Sequence, residues 1–305
     1  MPDGTPTKHG LLAGDAAPPH RADWTIDQDW DSYTPADHAV WRTLYERQAK
    51  LLPGRACDEY LAGMRALPIG AEAIPDFRRL SDVLMRRTRW QVMVVPGLVP
   101  PEVFFEHLAN RRFPAANFIR GADELDYLQE PDIFHDVFGH VPMLTDPVFA
   151  DYMQAYGKGG LRALSLGRLA NLARLYWYTV EFGLLETHEG LRIYGAGIVS
   201  SRTESNFALA SDSPNRLGFD LERVMRTLYR IDDFQQVYFV IRSLQHLLDV
   251  TTGTDFGPLY TKLSRMPDIP IAAIEPSDKV FTRGTQEYAR SGGRLPQATT
   301  RLQAP

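Results

Sequence analysis

Near the middle of the chain, Glu130–Leu144 reads EPDIFHDVFGHVPML, an apolar run interrupted by His135, Asp136 and His140 and punctuated by Pro131, Gly139 and Pro142. Neutral imidazoles are the commonest side-chain ligands of borderline transition metals. The spacing H-x4-H is not the H-E-x-x-H of zinc proteases. On a continuous α-helix five residues advance about 500°, which would aim the two rings about 140° apart. The breakers suggest a remedy. Pro131 suits a first helical turn, Gly139 can end a helix, and Pro142 biases Val141 away from the α region. The expectation is a short helix carrying His135, with His140 at or just past its end and turned back to the same point. Two histidines five apart are by themselves more often coincidence than a site, so a third ligand has to come from elsewhere.

Charge narrows the possibilities. Across 305 residues, Lys+Arg 33 against Asp+Glu 38 leaves −5, so no basic surface argues for nucleic acid. One cysteine, Cys57, rules out an intramolecular disulfide framework and fits a reducing cytoplasm. No apolar run approaches the ~20 residues of a membrane helix. The opening MPDGTPTKHG has no charged stretch leading into an apolar one, so a secretory signal is not expected. A cytoplasmic protein is the expectation.

The patterning along the chain is mainly α with a few short strands. Residues 1–22, rich in Pro, Gly and Ala, read as a disordered tail. Thr34-Pro35 is a helix-start pair with Asp37 placed to reach back, and Trp41, Leu44, Tyr45 and Leu52 follow at helical spacing. Further helices should carry Tyr60, Leu61 and Met64, then Phe77, Leu80 and Leu84, then Phe104, Phe105 and Leu108 after Pro100-Pro101. Gln91–Val95 is the clear β-branched run, and 117–120 could be a brief strand. Beyond the histidines, 161–186 reads as one long buried helix, 192–201 as a strand and tight turn, and 221–231 and 234–248 as two more helices. One domain is expected over 23–285, with 286–305 a second disordered tail.

Glu181 stands in LYWYTVEFGLL, whose helical neighbours Trp177, Tyr178, Leu184 and Leu185 deny it a solvent face. An unpaired carboxylate there would cost several kcal/mol, so it needs a cation or a proton. A salt bridge to Arg174 or Arg168 would serve. So would a metal shared with His135 and His140, because two histidines and one carboxylate form the facial set of non-haem Fe(II) oxygenases. The same set also describes catalytic zinc, and a hydrolase remains a rival, although no glutamate lies between the histidines to act as base. A helical binding protein with core histidines is the non-enzymatic alternative. Tyr194-Gly-Ala-Gly lacks the third glycine and the βαβ setting of a dinucleotide motif.

Taken in order, EPDIFHDVFGHVPML, LYWYTVEFGLL and IYGAGIVSS resemble the catalytic domain of the pterin-dependent aromatic amino acid hydroxylases, nearest the short bacterial branch that acts on phenylalanine. The likeness spans roughly Trp24 to Thr285. It implies a single basket-like helical catalytic domain that converts L-phenylalanine to L-tyrosine. Iron would be held by His135, His140 and Glu181, and tetrahydrobiopterin would supply two electrons as O2 is split between pterin and ring. Asp136 and Tyr176 stand where the family has an acid near pterin and a tyrosine close to the iron. Arg120, in FIRG, resembles the arginine that clamps the substrate carboxylate, a task suited to a planar bidentate donor. Pro131 and Trp177 resemble walls of the ring pocket, and Tyr127, Gly197, Ser200 and Ile231 also fall among its substrate positions. Ser200 in addition resembles the hydroxyl that orients His135. Gly97, Leu98, Phe104 and Ala173 match the pterin side.

There are departures. The regulatory domain and tetramerisation helix of the animal enzymes have no counterpart in this sequence, so a monomer is expected. Leu128 replaces a threonine and Pro114 a pterin-adjacent histidine. Tryptophan remains the rival substrate. Tyrosine-hydroxylating members carry an acid where this chain has Ile231, followed at once by Asp232 and Asp233. An aliphatic side chain offers no partner for a ring hydroxyl, and burying that hydroxyl unpaired costs about 1–3 kcal/mol. Phenylalanine should therefore be preferred over tyrosine by roughly ten- to a hundredfold in kcat/KM. Measuring that ratio for phenylalanine, tyrosine and tryptophan with one pterin checks it.

Overall fold

Helix starts explain much of the first half of the molecule, whose computed structural model describes residues 19–126 and 130–293. Thr34 caps Pro35–Leu51 with a reciprocal box: the Asp37 amide donates to the Thr34 hydroxyl at 3.2 Å and the Thr34 amide donates to Asp37 at 2.8 Å. Trp41 and Leu44 are thereby turned into the core. Asp58–Ala66, Phe77–Thr88 and Pro101–Ala109 follow as the apolar spacing predicts. Strand β1, Gln91–Val95, is also where the sequence put it.

Its partner is not. In place of a strand over 117–120, β2 runs Arg112–Ala116, parallel to β1. Pro114 hides this strand from a sequence reading, but a two-stranded sheet consists only of edges, where proline is tolerated. The single helix expected over 161–186 is also broken. Pro147–Ser165 ends before Gly167, whose φ of 64° is left-handed; Leu169–Tyr176 follows, and its path widens into a π-helical turn at Trp177. The chain then leaves as β3, Leu184–Thr187, and returns as β4, Gly190–Ile193.

Helices Ala196–Val199 and Arg202–Ala210 lead to β5, Asn215–Gly218. The two helices expected over 221–231 and 234–248 need correction. Only Leu221–Arg226 is helical in the first, and the second divides into β6, Val237–Ile241, and helix Leu244–Gly253. All of β6 is buried, because it lies between β3 and β5 in the sheet β4-β3-β6-β5-β7, closed by β7, Val280–Thr282. A strand covered on both faces is continuously apolar, so VYFVI mimics helical spacing. The molecule is mainly helical, about 49% helix and 12% strand.

Packed structure also passes the boundary drawn at 285. Helix Glu287–Arg290 places Tyr288 against Phe207 and Phe234, ring centroids 5.2 and 5.1 Å away, and its hydroxyl donates to Asp233 at 2.7 Å. The rest of that segment, and residues 1–18, lie outside the described residues.

One buried acid ties helix Arg202–Ala210 to β6. Glu204 accepts from the Tyr238 hydroxyl and, at 3.4 Å, from the Gln235 amide. Burial raises its carboxyl from an ordinary 4.5 to about 7. Between those values the folded protein keeps a proton that the unfolded chain releases, so Glu204's contribution is full below pH 4.5 and fades as pH rises to 7. Glu204→Gln should therefore gain on the parent by roughly 1–3 kcal/mol between pH 5 and pH 8. Urea unfolding at both pH values measures this, and parallel stabilities would contradict it.

Candidate metal centre

His135 and His140 meet because the helix carrying them is not an α-helix. Phe134–His140 is π-helical, and i→i+5 hydrogen bonding stacks residues five apart on one face. This replaces the expected stop at Gly139. That glycine instead permits close packing, since a Cβ would come within 3.0 Å of the Ala196 carbonyl oxygen. Trp177–Glu181 is a second π-helical turn, with Glu181 as its last residue. Its carboxylate does not reach Arg174, which pairs with Asp268 at 2.7 Å.

The three side chains converge. The Nε2 atoms of His135 and His140 are 3.2 Å apart, Glu181 Oε1 is 3.2 Å from His140 Nε2, and Oε2 is 3.5 Å from His135 Nε2. A metal with bonds of ~2.1 Å and ligands at right angles needs donor atoms about 3 Å apart, so the set fits a divalent ion. No other grouping of three such residues occurs among the described residues.

The surroundings fix protonation. Ser200 donates its hydroxyl proton to the Ala196 carbonyl at 2.7 Å, so its oxygen must accept from His135 Nδ1, 3.0 Å away. That makes Nδ1 the protonated nitrogen and leaves Nε2 with a free lone pair toward the cluster. Burial holds His135 neutral by lowering it to about 4. Burial would raise Glu181, but the two imidazoles and the Gly197 amide outweigh it, and the carboxyl stays below its usual range.

Asp132, which the sequence reading missed, is fully buried. Its Oδ2 accepts from Arg120 N at 3.0 Å and Nε at 2.8 Å, while Oδ1 accepts from Arg120 Nη2 at 2.8 Å and His135 N at 3.0 Å. Burial opposes its charge, but Arg120 and these amides keep it ionised and lowered. A carboxylate three residues before a histidine at a helix start was the available signal. Gln235 and Glu204 were missed too; nothing local in sequence marks them.

Two cavities flank the cluster. One, of about 260 Å³, is lined by Arg120, Pro131, Trp177, Gly197, Ser200 and Ile231 together with His135 and Glu181. The other, of about 340 Å³, is lined by Gly97, Leu98, Phe104, Ala173, Asp136 and Tyr176. The candidate substrate and pterin residues thus separate into two spaces sharing Pro131 and Trp177; Tyr127 lies outside the described residues. On the second side, Asp136 accepts from the Ala116 amide at 2.8 Å, and burial raises it to about 7. Tyr176 packs edge-on to Phe104, centroids 5.9 Å apart, and burial holds it protonated well above 10.

A buried His2Glu face between two cavities, one with an arginine and one mostly apolar, has the make-up of a mononuclear metalloenzyme site with room for two organic molecules. The sequence profile of the biopterin-dependent aromatic amino acid hydroxylases matches residues 24–252. The phenylalanine-4-hydroxylase of Caulobacter vibrioides is 69% identical over 284 residues, 93% of this chain and 96% of that one. That of Ralstonia nicotianae is 62% identical, over 88% of this chain and 85% of the relative. The Chromobacterium violaceum phenylalanine hydroxylase structure with iron and phenylalanine aligns with TM-score 0.82 at 56% identity, covering 86% of this chain and 95% of that one. Its structure with iron(III) and 7,8-dihydrobiopterin aligns with TM-score 0.83 at 57% identity, covering 86% and 94%. The chain belongs to the biopterin-dependent aromatic amino acid hydroxylase family.

Ser200→Ala removes the acceptor that fixes the His135 tautomer. Affinity for Co(II) or Fe(II), titrated against a chelating dye, should fall roughly 10–100-fold. An unchanged affinity would mean that the ring needs no such anchor.

Proposed function

We propose that the chain hydroxylates L-phenylalanine to L-tyrosine with O2 and a tetrahydropterin, at a non-haem Fe(II) held by His135, His140 and Glu181. The observation that carries this reading is the convergence of those three ligands between two separate cavities. The close relatives named phenylalanine-4-hydroxylase supply the substrate and reaction. When bound, the iron together with the pterin's two electrons supplies the chemistry that activates O2.

The protein's own part is placement. Arg120 receives the amino acid carboxylate: Nε and one Nη2 hydrogen go to Asp132, and three of its five N–H donors remain for a ligand. Trp177, Pro131 and Gly197 line the slot for the ring, with Ile231 at its rim. Phe104, Gly97, Leu98 and Ala173 receive the pterin in the apolar cavity. Asp136, raised to about 7 on that side, can hold or release a proton near neutrality. Tyr176, ring-stacked on His140 at 6.3 Å, closes the metal's flank as a neutral phenol. These roles belong to one basket-like catalytic domain that begins near residue 23 and continues past 285. We take it to act as a cytoplasmic monomer, consistent with a single, buried cysteine.

Stripping the metal and reloading tests the centre. Fe(II) should restore phenylalanine- and pterin-dependent O2 uptake, while Zn(II) should occupy the site and restore none, because zinc has no redox chemistry. His140→Ala should abolish tight iron binding and turnover together. Full turnover in metal-free His140→Ala would overturn the assignment.

A further inference from the structure

Trp177 lies on the border of both cavities, so the plane of its indole shapes the ring slot. It stacks on Tyr229, centroids 4.5 Å apart and planes 21° apart, and leans on Phe182 at 4.7 Å. Stacking fixes the height of an indole better than its rotation within its own plane. That rotation is set by a hydrogen bond: Trp177 Nε1 donates to Gln235 Oε1 at 2.9 Å.

Gln235 is only 2% exposed, and its amide is fully determined. Nε2 donates to the carbonyls of Arg230 at 2.9 Å and Asp233 at 3.3 Å. Turning the amide over would set its oxygen against two carbonyls and its NH2 against the indole N–H. The carboxamide therefore has one viable orientation, dictated by the loop between helix Leu221–Arg226 and β6. The same loop carries Ile231, 57% exposed at the cavity rim.

We propose that Gln235 is a positioning residue for the aromatic substrate: it reads the conformation of loop 230–235 through two carbonyls and passes it to Trp177 through one acceptor, so that the loop sets the ring slot. This rests on the reading of that cavity as the substrate's. The geometry makes specific demands on substitutions. Methionine keeps the volume of glutamine and removes all three hydrogen bonds. Trp177→Phe keeps a ring and the loop's own bonds but deletes the one donor.

The test is phenylalanine binding to the iron-loaded enzyme under anaerobic conditions without pterin, alongside steady-state kinetics. Gln235→Met should raise the phenylalanine Kd and KM about tenfold, with pterin KM and iron content unchanged and kcat within about threefold. Trp177→Phe should raise the phenylalanine Kd at least as far. The double variant should lose no more than the worse single one, because both act through the same bond. In the zinc-loaded protein the Trp177 indole N–H should exchange faster with solvent in Gln235→Met. Losses that multiply, or a fall in kcat and iron content with Kd unchanged, would overturn the proposal. Should Gln235→Met fail to fold, Gln235→Leu takes its place under the same criteria, and an unchanged Kd in Trp177→Phe still overturns the proposal. If the parent protein does not bind phenylalanine, the functional reading fails, and the indole exchange rate still decides whether Gln235 holds Trp177.

Discussion

Three donor atoms brought to one point inside an apolar core are the constraint on which the rest of the structure turns. Two imidazole lone pairs and a carboxylate lie within 4.8 Å of one another. Such groups repel or lose hydration unless something positive joins them. Regular helices cannot deliver them at these sequence positions. An α-helix separates His135 from His140 by about 140° of rotation. The chain gives up regularity twice, in Phe134–His140 and in Trp177–Glu181, and each π-helical turn ends on a ligand. Irregular turns of this kind survive where a functional geometry demands them. They are braced from outside the cluster, by Ser200 on His135 and by the Gly197 amide on Glu181. Both braces come from the segment around helix Ala196–Val199, which approaches closely because Gly139 and Gly195 leave no Cβ in the way.

What the sequence made legible follows from the range of the interactions involved. Local signals were readable: the Thr34–Asp37 box, the prolines opening Pro101–Ala109, the β-branched run of β1. The ligand triad was readable as chemistry, since histidines and a carboxylate inside apolar runs have few alternatives. Its geometry was not, because a π-helix obeys no familiar period. Strand β6 was read as helix since its burial on both faces erases alternation. Glu204 and Gln235 were invisible for a different reason. The partners of Glu204 and Gln235 lie tens of residues away, as with Tyr238 and Trp177, and no local pattern records them. The assignments to substrate and pterin sides came from family likeness, and spacing alone would not have produced them.

Asp132 couples the placement of Arg120 to that of His135. Its carboxylate accepts from Arg120 through main chain and guanidinium and from the His135 amide. Any shift of Arg120 therefore pulls on the turn that bears the first metal ligand. In a buried pair of this kind, losing one partner strands the other charge, so the arrangement resists piecemeal movement. A ligand carboxylate on Arg120 would meet a donor whose orientation is already fixed, which lowers the ordering cost of binding.

The opposite wall is built on a softer principle. Trp177 is held by stacking and a single neutral hydrogen bond, each modest beside a buried ion pair. Its acceptor hangs from a loop whose surface residue Ile231 is exposed, whereas Asp132 is fully enclosed. The slot thus has one rigid end at Arg120 and one adjustable side at Trp177. The loop acts at one remove from the metal site, because the Gln235 side chain hydrogen-bonds to Trp177 and to the loop and to none of the three ligands. On the proposed reading, such a division would let the amino acid backbone be recognised invariantly while the fit of the side-chain ring is tuned separately.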